Sequence, residues 1–417
     1  MRISSALYFQ TGLNSINAQQ SDLLHLFQQI GTGQRMVNPS DDPLAAAEAI
    51  NIGQSHSMNN RFAENRAIAT SKLGTAEETL NSVTTLVQDI KTRLVEAGNG
   101  SLADADRLSL AGVLEQARGN LLELANATDG NGQHLFSGSL GSTPAFDEVT
   151  GNYIGDDAQR NIQLDQTRRM PSSDVGSDIF ARATPGVTKF LTAAGSDFGQ
   201  PSNNTGSSII GKAAVFDAAA MNPDYRYALA FTSDTEVEIT VYDAQDNPVG
   251  APVTETITPG QDNLIQLPHG VQVSLSGKPE AGDTFSVRST KEASDELNMF
   301  KTLDAIIAAL KSPQEGSATG ATEFRNMLNS TIQRMDIAYD NVLTVRASVG
   351  ARLNEIEALD DNGDMRRLSY RDQLSRLEDL DYYEATTQLE LRKSALEAAS
   401  LAFRKIQGTS MFNLANR

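Results

Sequence analysis

Apolar side chains recur every seven residues near both ends of this chain, and nothing in its middle continues that period. In the opening stretch Phe9, Ile16, Leu23 and Ile30 form one line. Leu13 and Phe27 lie on a second line three residues earlier, with Gln20 between them. Steps of seven, built from alternating gaps of three and four, place such residues along one stripe of a helix. A stronger stripe follows: Leu73, Leu80, Val87 and Leu94, with Ala76, Val83, Ile90 and Ala97 three residues later. Far downstream Leu328, Met335, Val342, Val349 and Ile356 repeat the pattern. Near the end Tyr382, Leu389, Leu396 and Phe403 do so again, with Ala385, Ala399 and Ile406 on the companion line. Arg392 interrupts that companion line, and a charge there needs a partner or a path to solvent.

An apolar helix stripe is buried only against another surface, so the two ends must pair. The expected fold is therefore α+β: a long-helix coiled-coil bundle formed by both chain ends, with an inserted mainly-β outer domain. Residues 1–40 read as an amino-terminal helical arm, 41–135 as the first part of a helical core, and 136–290 as the β-rich insertion. Residues 291–375 read as the second part of the core and 376–417 as a carboxy-terminal helical arm. Leu73, Leu80, Val87 and Leu94 are expected to face Leu328, Met335, Val342 and Val349 as that core. The arms have little remaining chain to cover them, and one stripe does not offset the entropy of ordering a lone helix. Phe9, Leu13, Ile16, Leu23, Phe27, Ile30, Tyr382, Leu389, Leu396, Phe403 and Ile406 are thus expected to be an assembly interface, with both extreme ends loosely ordered in the isolated subunit and helical once neighbours cover them.

Punctuation sets these boundaries. In NPSDDP, residues 38–43, Pro39 breaks the first helix and Ser40 or Asp41 caps the next. Asp42 follows, and Pro43 suits the first turn, where its missing N–H is not needed. Asp41, Asp42 and Arg35 could also meet a neighbouring subunit. DGNG from Asp129 and DDNG from Asp360 read as turns. Between residues 136 and 290 Gly, Pro, Asp and Thr rise and alternation replaces the helical period. VEITVYDAQDNPVG reads as strand, turn and strand, and GVQVSLSGKPEAGDTFSV as a strand pair carrying Val271, Val273 and Leu275, then Phe285 and Val287. Residues 195–208, rich in Gly, Ser and Asn, read as a flexible loop.

Composition excludes several functions. With no cysteine, disulfides and cysteine-ligated metals are impossible. With 34 Lys and Arg against 53 Asp and Glu, the formal charge is -19, which disfavours nucleic acid and anionic lipid as partners. The opening has no unbroken apolar core of a cleaved secretory signal, and no stretch reaches the ~20 apolar residues that span a bilayer. This leaves open a cytosolic chain or one exported through an uncleaved amino terminus. GSSIIGKA, residues 206–213, lacks the hydroxyl residue that a phosphate-binding loop needs after its lysine. His25, His56, His134 and His269 are scattered, and Asp360, Asp361, Asn362 and Asp364 lack the alternation of a calcium loop. No nucleophile motif is present. The expectation is a non-enzyme with no cofactor and no small-molecule substrate.

MRIS at Met1, QQIGTGQR over residues 28–35 and NPSDDP make the opening resemble the flagellar hook-associated protein 3 family, which is related to flagellin. LEAASLAFRKIQGTSMFNL, residues 396–414, resembles the carboxy-terminal helix of the same family. GVQVSLSGKPEAGDTFSV is similar to a stretch in the β domains of hook-associated proteins. The likeness covers both ends well and the middle loosely. It implies a secreted structural subunit of the bacterial flagellum, exported unfolded by the type III apparatus and placed at the hook–filament junction. The implied partners are copies of itself in a ring, hook-associated protein 1, flagellin, and a cytosolic chaperone holding the carboxy-terminal helix. Two alternatives remain open: a flagellin-type filament subunit, disfavoured by the ending MFNLANR, and an adhesin using Tyr225, Tyr227 and Phe231 of the β region.

Overall fold

Long apolar-striped segments bounded by Pro, Asp and Gly become helices here, and the alternating middle becomes sheet. The computed structural model describes residues 5–200, 202–291, 293–313 and 317–415. Three helices come first: α1 (Ser5–Thr32), α2 (Pro43–Ala97) and α3 (Asp104–Ala125). Short strands β1 (Asn161–Gln163) and β2 (Arg169–Pro171) pair with each other, and helix α4 (Gly176–Phe180) follows. Then come β3 (Phe190–Ala194), β4 (Ile209–Val215), β5 (Arg226–Phe231), β6 (Glu236–Tyr242), β7 (Val253–Thr256), β8 (Asn263–Leu267), β9 (Val271–Ser276) and β10 (Thr284–Ser289). Helices α5 (Met299–Lys311), α6 (Ala318–Glu378) and α7 (Tyr382–Ala415) complete the chain. It divides into two compact units, one of residues Met1–Glu64 with Ala358–Arg417, the other Asn65–Glu357.

In the larger unit the heptad stripe of α2 is dry. Leu73, Leu80, Val87 and Leu94 are fully buried, as are Met335, Val342 and Val349 of α6, and Leu328 is nearly so. Polar rungs flank this core. Arg346 of α6 donates to Glu77 of α2 at 2.6 Å, and Lys91 of α2 meets Asp336 of α6 at 2.8 Å. Helix α3 packs on α5, and Phe136, Phe146, Phe180 and Phe300 form an aromatic cluster with ring centroids 5.0–6.1 Å apart.

The strands make a five-stranded sheet, β3-β10-β5-β6-β7, and a three-stranded one, β4-β9-β8, all antiparallel. Strict alternation drives this: Val237, Ile239 and Val241 of β6 and Val271, Val273 and Leu275 of β9 turn inward to one core. Helix α6 is fastened to the strands by amides. Asn326 accepts from the Ile210 N–H at 2.9 Å and donates to the Ser208 carbonyl at 2.9 Å. The Gln333 amide donates to the Thr192 hydroxyl at 2.8 Å.

Several expectations are corrected. Helix α1 ends at Thr32, before Pro39, because Gly33 takes a left-handed φ of 73°. The cap of α2 is Asp42, which accepts from the Ala45 N–H at 3.1 Å; Asp41 turns back to accept from Val37 at 3.0 Å and Asn38 at 2.9 Å. Helix α3 stops at Ala125, where the side chain of Asn126 holds both backbone groups of Phe146, before the Asp129 turn. DDNG is no turn: α6 runs through Asp360 and Gly363, and Asn362 donates back to the Ala358 carbonyl at 2.8 Å. The strands expected from Val271 and Thr284 both form, β9 in the smaller sheet and β10 in the larger. GSSIIGKA runs into β4, and a side chain at Gly211 would meet Ser274 Oγ at 2.1 Å. Tyr227 and Phe231 are core residues, 1% and 2% exposed, which removes the aromatic platform that an adhesin would need.

Met335→Ala in the dry stripe is expected to lower unfolding free energy by ~2–5 kcal/mol. Val95→Ala, on the exposed side of α2, should stay within ~0.5 kcal/mol. Urea unfolding followed by circular dichroism measures both.

Candidate assembly surface

The smaller unit is built on an antiparallel pairing of α1 with α7. Three contacts fix its register: Gly12 faces Phe403, Asp22 pairs with Arg392 at 2.8 Å, and Gly33 faces the Tyr382 hydroxyl. Along α1 and the Gly33 just past its end, the shielded seam positions are Gly12, Ile16, Gln19, Leu23, Leu26, Ile30 and Gly33, with alternating gaps of four and three; His25 and Gln29 are shielded beside them. The second line of the seam is therefore Gly12, Gln19, Leu26 and Gly33, one residue away from Leu13, Gln20 and Phe27. Leu26 is 5% exposed and Phe27 52%. The apolarity of Leu13 and Phe27 suggested the neighbouring line, yet the seam uses two glycines because aromatic rings of α7 need the room. A Cβ at Gly12 would lie 2.9 Å from the Phe403 ring.

On α7 the seam contains Ala385, Leu389, Arg392, Leu396, Ala399 and Phe403, buried or half-buried. Arg392 satisfies its charge through Asp22. The side chains of Phe9 and Ile406 lie outside the described residues. Outside the seam the pair leaves large apolar groups in water: Leu7, Leu13, Leu24 and Phe27 on α1, and Tyr383, Leu391 and Leu401 on α7. Two helices have only one shared face, so this second face stays uncovered.

The breaks after α1 and α6 lie side by side. Arg35 N–H donates to the Glu378 carbonyl at 2.7 Å, Leu380 N–H to the Gly33 carbonyl at 3.0 Å, and Arg35 Nε to the Leu377 carbonyl at 3.1 Å. The same guanidinium reaches Asp42 at 3.3 Å. One arginine thus ties the α2 cap to the end of α6. The Asp42 carboxyl is held below its ordinary value by the Ala45 N–H and then by Arg35. The break at residues 379–381 has no Gly or Pro. It carried a different signal: Asp381 followed three residues later by Glu384, the pattern of a helix start, and Asp381 indeed accepts from Tyr383 at 2.9 Å and Glu384 at 3.2 Å.

Residues 3–140 match the bacterial flagellin N-terminal helical region. Flagellar hook-associated protein 3 of Salmonella typhimurium is 28% identical over 414 residues, spanning 99% of both chains. The solved hook-associated protein-3 of Legionella pneumophila superposes with a TM-score of 0.65 at 26% identity, over 78% of this chain and 98% of that one. Over its whole length the chain is similar to flagellar hook-associated protein 3. A Legionella structure described as the flagellar junction protein FlgL agrees with a TM-score of 0.61 at 25% identity, over 81% of this chain and all of that one. These solved structures share the helical-plus-β fold described above. Among the described residues no group of side chains could hold a metal ion, and no helix is long and apolar enough to cross a membrane.

Two outcomes follow for this surface. Gly33→Ala forces a side chain into the left-handed region and toward Tyr382, and is expected to destabilise by ~1–2 kcal/mol, measured by thermal unfolding. For Asp42 a depressed folded pKa means that its stabilisation is complete above the unfolded value. It is then lost as pH falls through the folded one. An NMR titration should place its midpoint below 3.8, and Arg35→Met should move it upward.

Proposed function

We propose that this chain is a structural subunit of the bacterial flagellum, seated at the junction between hook and filament, and that it acts by assembly without catalysis. The observation that carries the reading is the second apolar face of the α1–α7 pair, Leu24, Phe27, Tyr383 and Leu391 among it, in a chain similar over its whole length to a flagellar hook-associated protein. On this reading copies of the chain cover one another's arms in a ring, with hook-associated protein 1 on one side and flagellin on the other. Export proceeds unfolded through the flagellar type III apparatus, with a cytosolic chaperone shielding the carboxy-terminal helix. The seam and exposed residues of residues 1–40 and 376–417 form the polymerisation surface. Arg35, Asp41 and Asp42 serve first as the tie and cap, and residues 136–290 stay out of the arm contacts.

A strain lacking this chain is expected to build hooks and shed flagellin into the medium, and the full chain restores filaments. A version limited to residues 31–387 should fail to restore them. Filaments restored by the trimmed chain would overturn the reading. Amide exchange of residues 5–30 should be fast in the isolated chain and slow in the assembled one.

A further inference from the structure

The larger unit carries a local reversal of the chain's charge. Three of the whole chain's ten lysines, Lys91 on α2, Lys189 beside β3 and Lys212 on β4, line one open cleft of about 600 Å³ there. Two carboxylates face them from successive turns of α6. Asp336 takes Lys91 and Lys212 at 2.8 Å each, one on each oxygen, and Asp340 pairs with Lys189. Three ammonium groups against two carboxylates leave the cleft net positive by one, in a chain whose net charge is -19. An ammonium group has three protons to donate, and these ion pairs use one on each lysine. Phe190, Val215 and Ile337 supply apolar wall around the charges. Lys212 is the outermost, its side chain 66% exposed.

We propose that this cleft receives a carboxylate side chain from a second copy of the chain, with Lys212 as the outer contact and Lys189 beside it. Charge complementarity selects the occupant. Copies that each carry -19 repel as they come into contact, and a positive site there meets the surplus acid of the neighbour. The 53 Asp and Glu exceed the 34 Lys and Arg, so a neighbouring copy presents carboxylates in excess. Lys91 is half-covered and lies over the Tyr339 ring at 4.9 Å, so it sets the floor of the cleft and leaves the rim to Lys212. This inference rests on the assembly reading above and adds the contact chemistry to it.

Carbodiimide coupling of assembled flagella, which joins a lysine to a touching carboxylate, tests the contact directly. Isotope-mixed copies distinguish links between chains from links within one. The expected result is an inter-chain link from Lys212 or Lys189 to an Asp or Glu. Links from these lysines to Asp336 and Asp340 of the same chain alone would overturn the proposal and leave the junction reading intact. Lys212→Glu should fold normally by circular dichroism yet reduce assembled protein at least tenfold, while Lys212→Arg should keep it near the wild-type level. Equal assembly of the Glu variant would also overturn the proposal. Absence of the wild-type chain from flagella would instead defeat the junction reading on which it rests.

Discussion

The antiparallel seam between α1 and α7 is the contact on which the smaller unit depends, because each helix alone has no other way to shield its stripe. Its fit is asymmetric. Gly12 inside α1 and Gly33 just past its end face Phe403 and Tyr382 of α7, so large rings approach the partner backbone closely. The single charge in the α7 line, Arg392, meets Asp22. A glycine costs helix stability, and Gly12 sits inside α1. The seam accepts that cost because any side chain at residue 12 would push the Phe403 ring away and open the pair.

The larger unit solves a different problem, which is to join a 61-residue helix to two sheets. Apolar burial supplies the energy inside each sheet, and α6 adds to its apolar contact with β3 the amides of Asn326, Gln333 and Asn329, which bond to β3 and β4. Buried amides are directional, and an unpaired one is penalised strongly. They therefore fix where along α6 the strands sit, which a greasy contact would leave free to slide. Buried Arg334 acts in the same way: it pairs with Glu296 at 2.7 Å and stacks on Phe198, pinning the start of the α5 region to α6.

The fold class was legible because periods of 3.5 and 2 are properties of the local sequence, and each end of the chain kept one period over many turns. Breaks were less legible. DDNG at Asp360 has turn residues, but in a 61-residue helix its polar groups face water or bond back one turn, and flanking helix overrides them. The true break at residues 379–381 has no Gly, Asn or Pro and shows itself only through the capping pattern of Asp381 and Glu384. Strand partners were not legible either, since Val271 and Phe285 lie close in sequence while the core between two sheets separates them. The seam line of α1 was displaced by one residue because hydrophobicity points to Leu13 and Phe27, whereas the decisive feature, a glycine facing an aromatic, belongs to two helices at once.

Charge sets the remaining constraint. At physiological salt the field of an acidic surface fades within about 8 Å, so repulsion between copies acts at the same range as contact itself. A homopolymer of acidic chains must then place its few cations where contact occurs or where its own fold would otherwise fail. Several cations here do the second: Arg35, Arg346, Arg352 and Arg392 each hold a carboxylate on another element or across a break. Lys212 differs. Its Asp336 partner already has Lys91, its side chain is mostly in water, and removing it would leave that carboxylate paired. A cation that the fold does not need, at the rim of an open cleft in an acid-rich chain, is better explained by a neighbour's carboxylate than by stability.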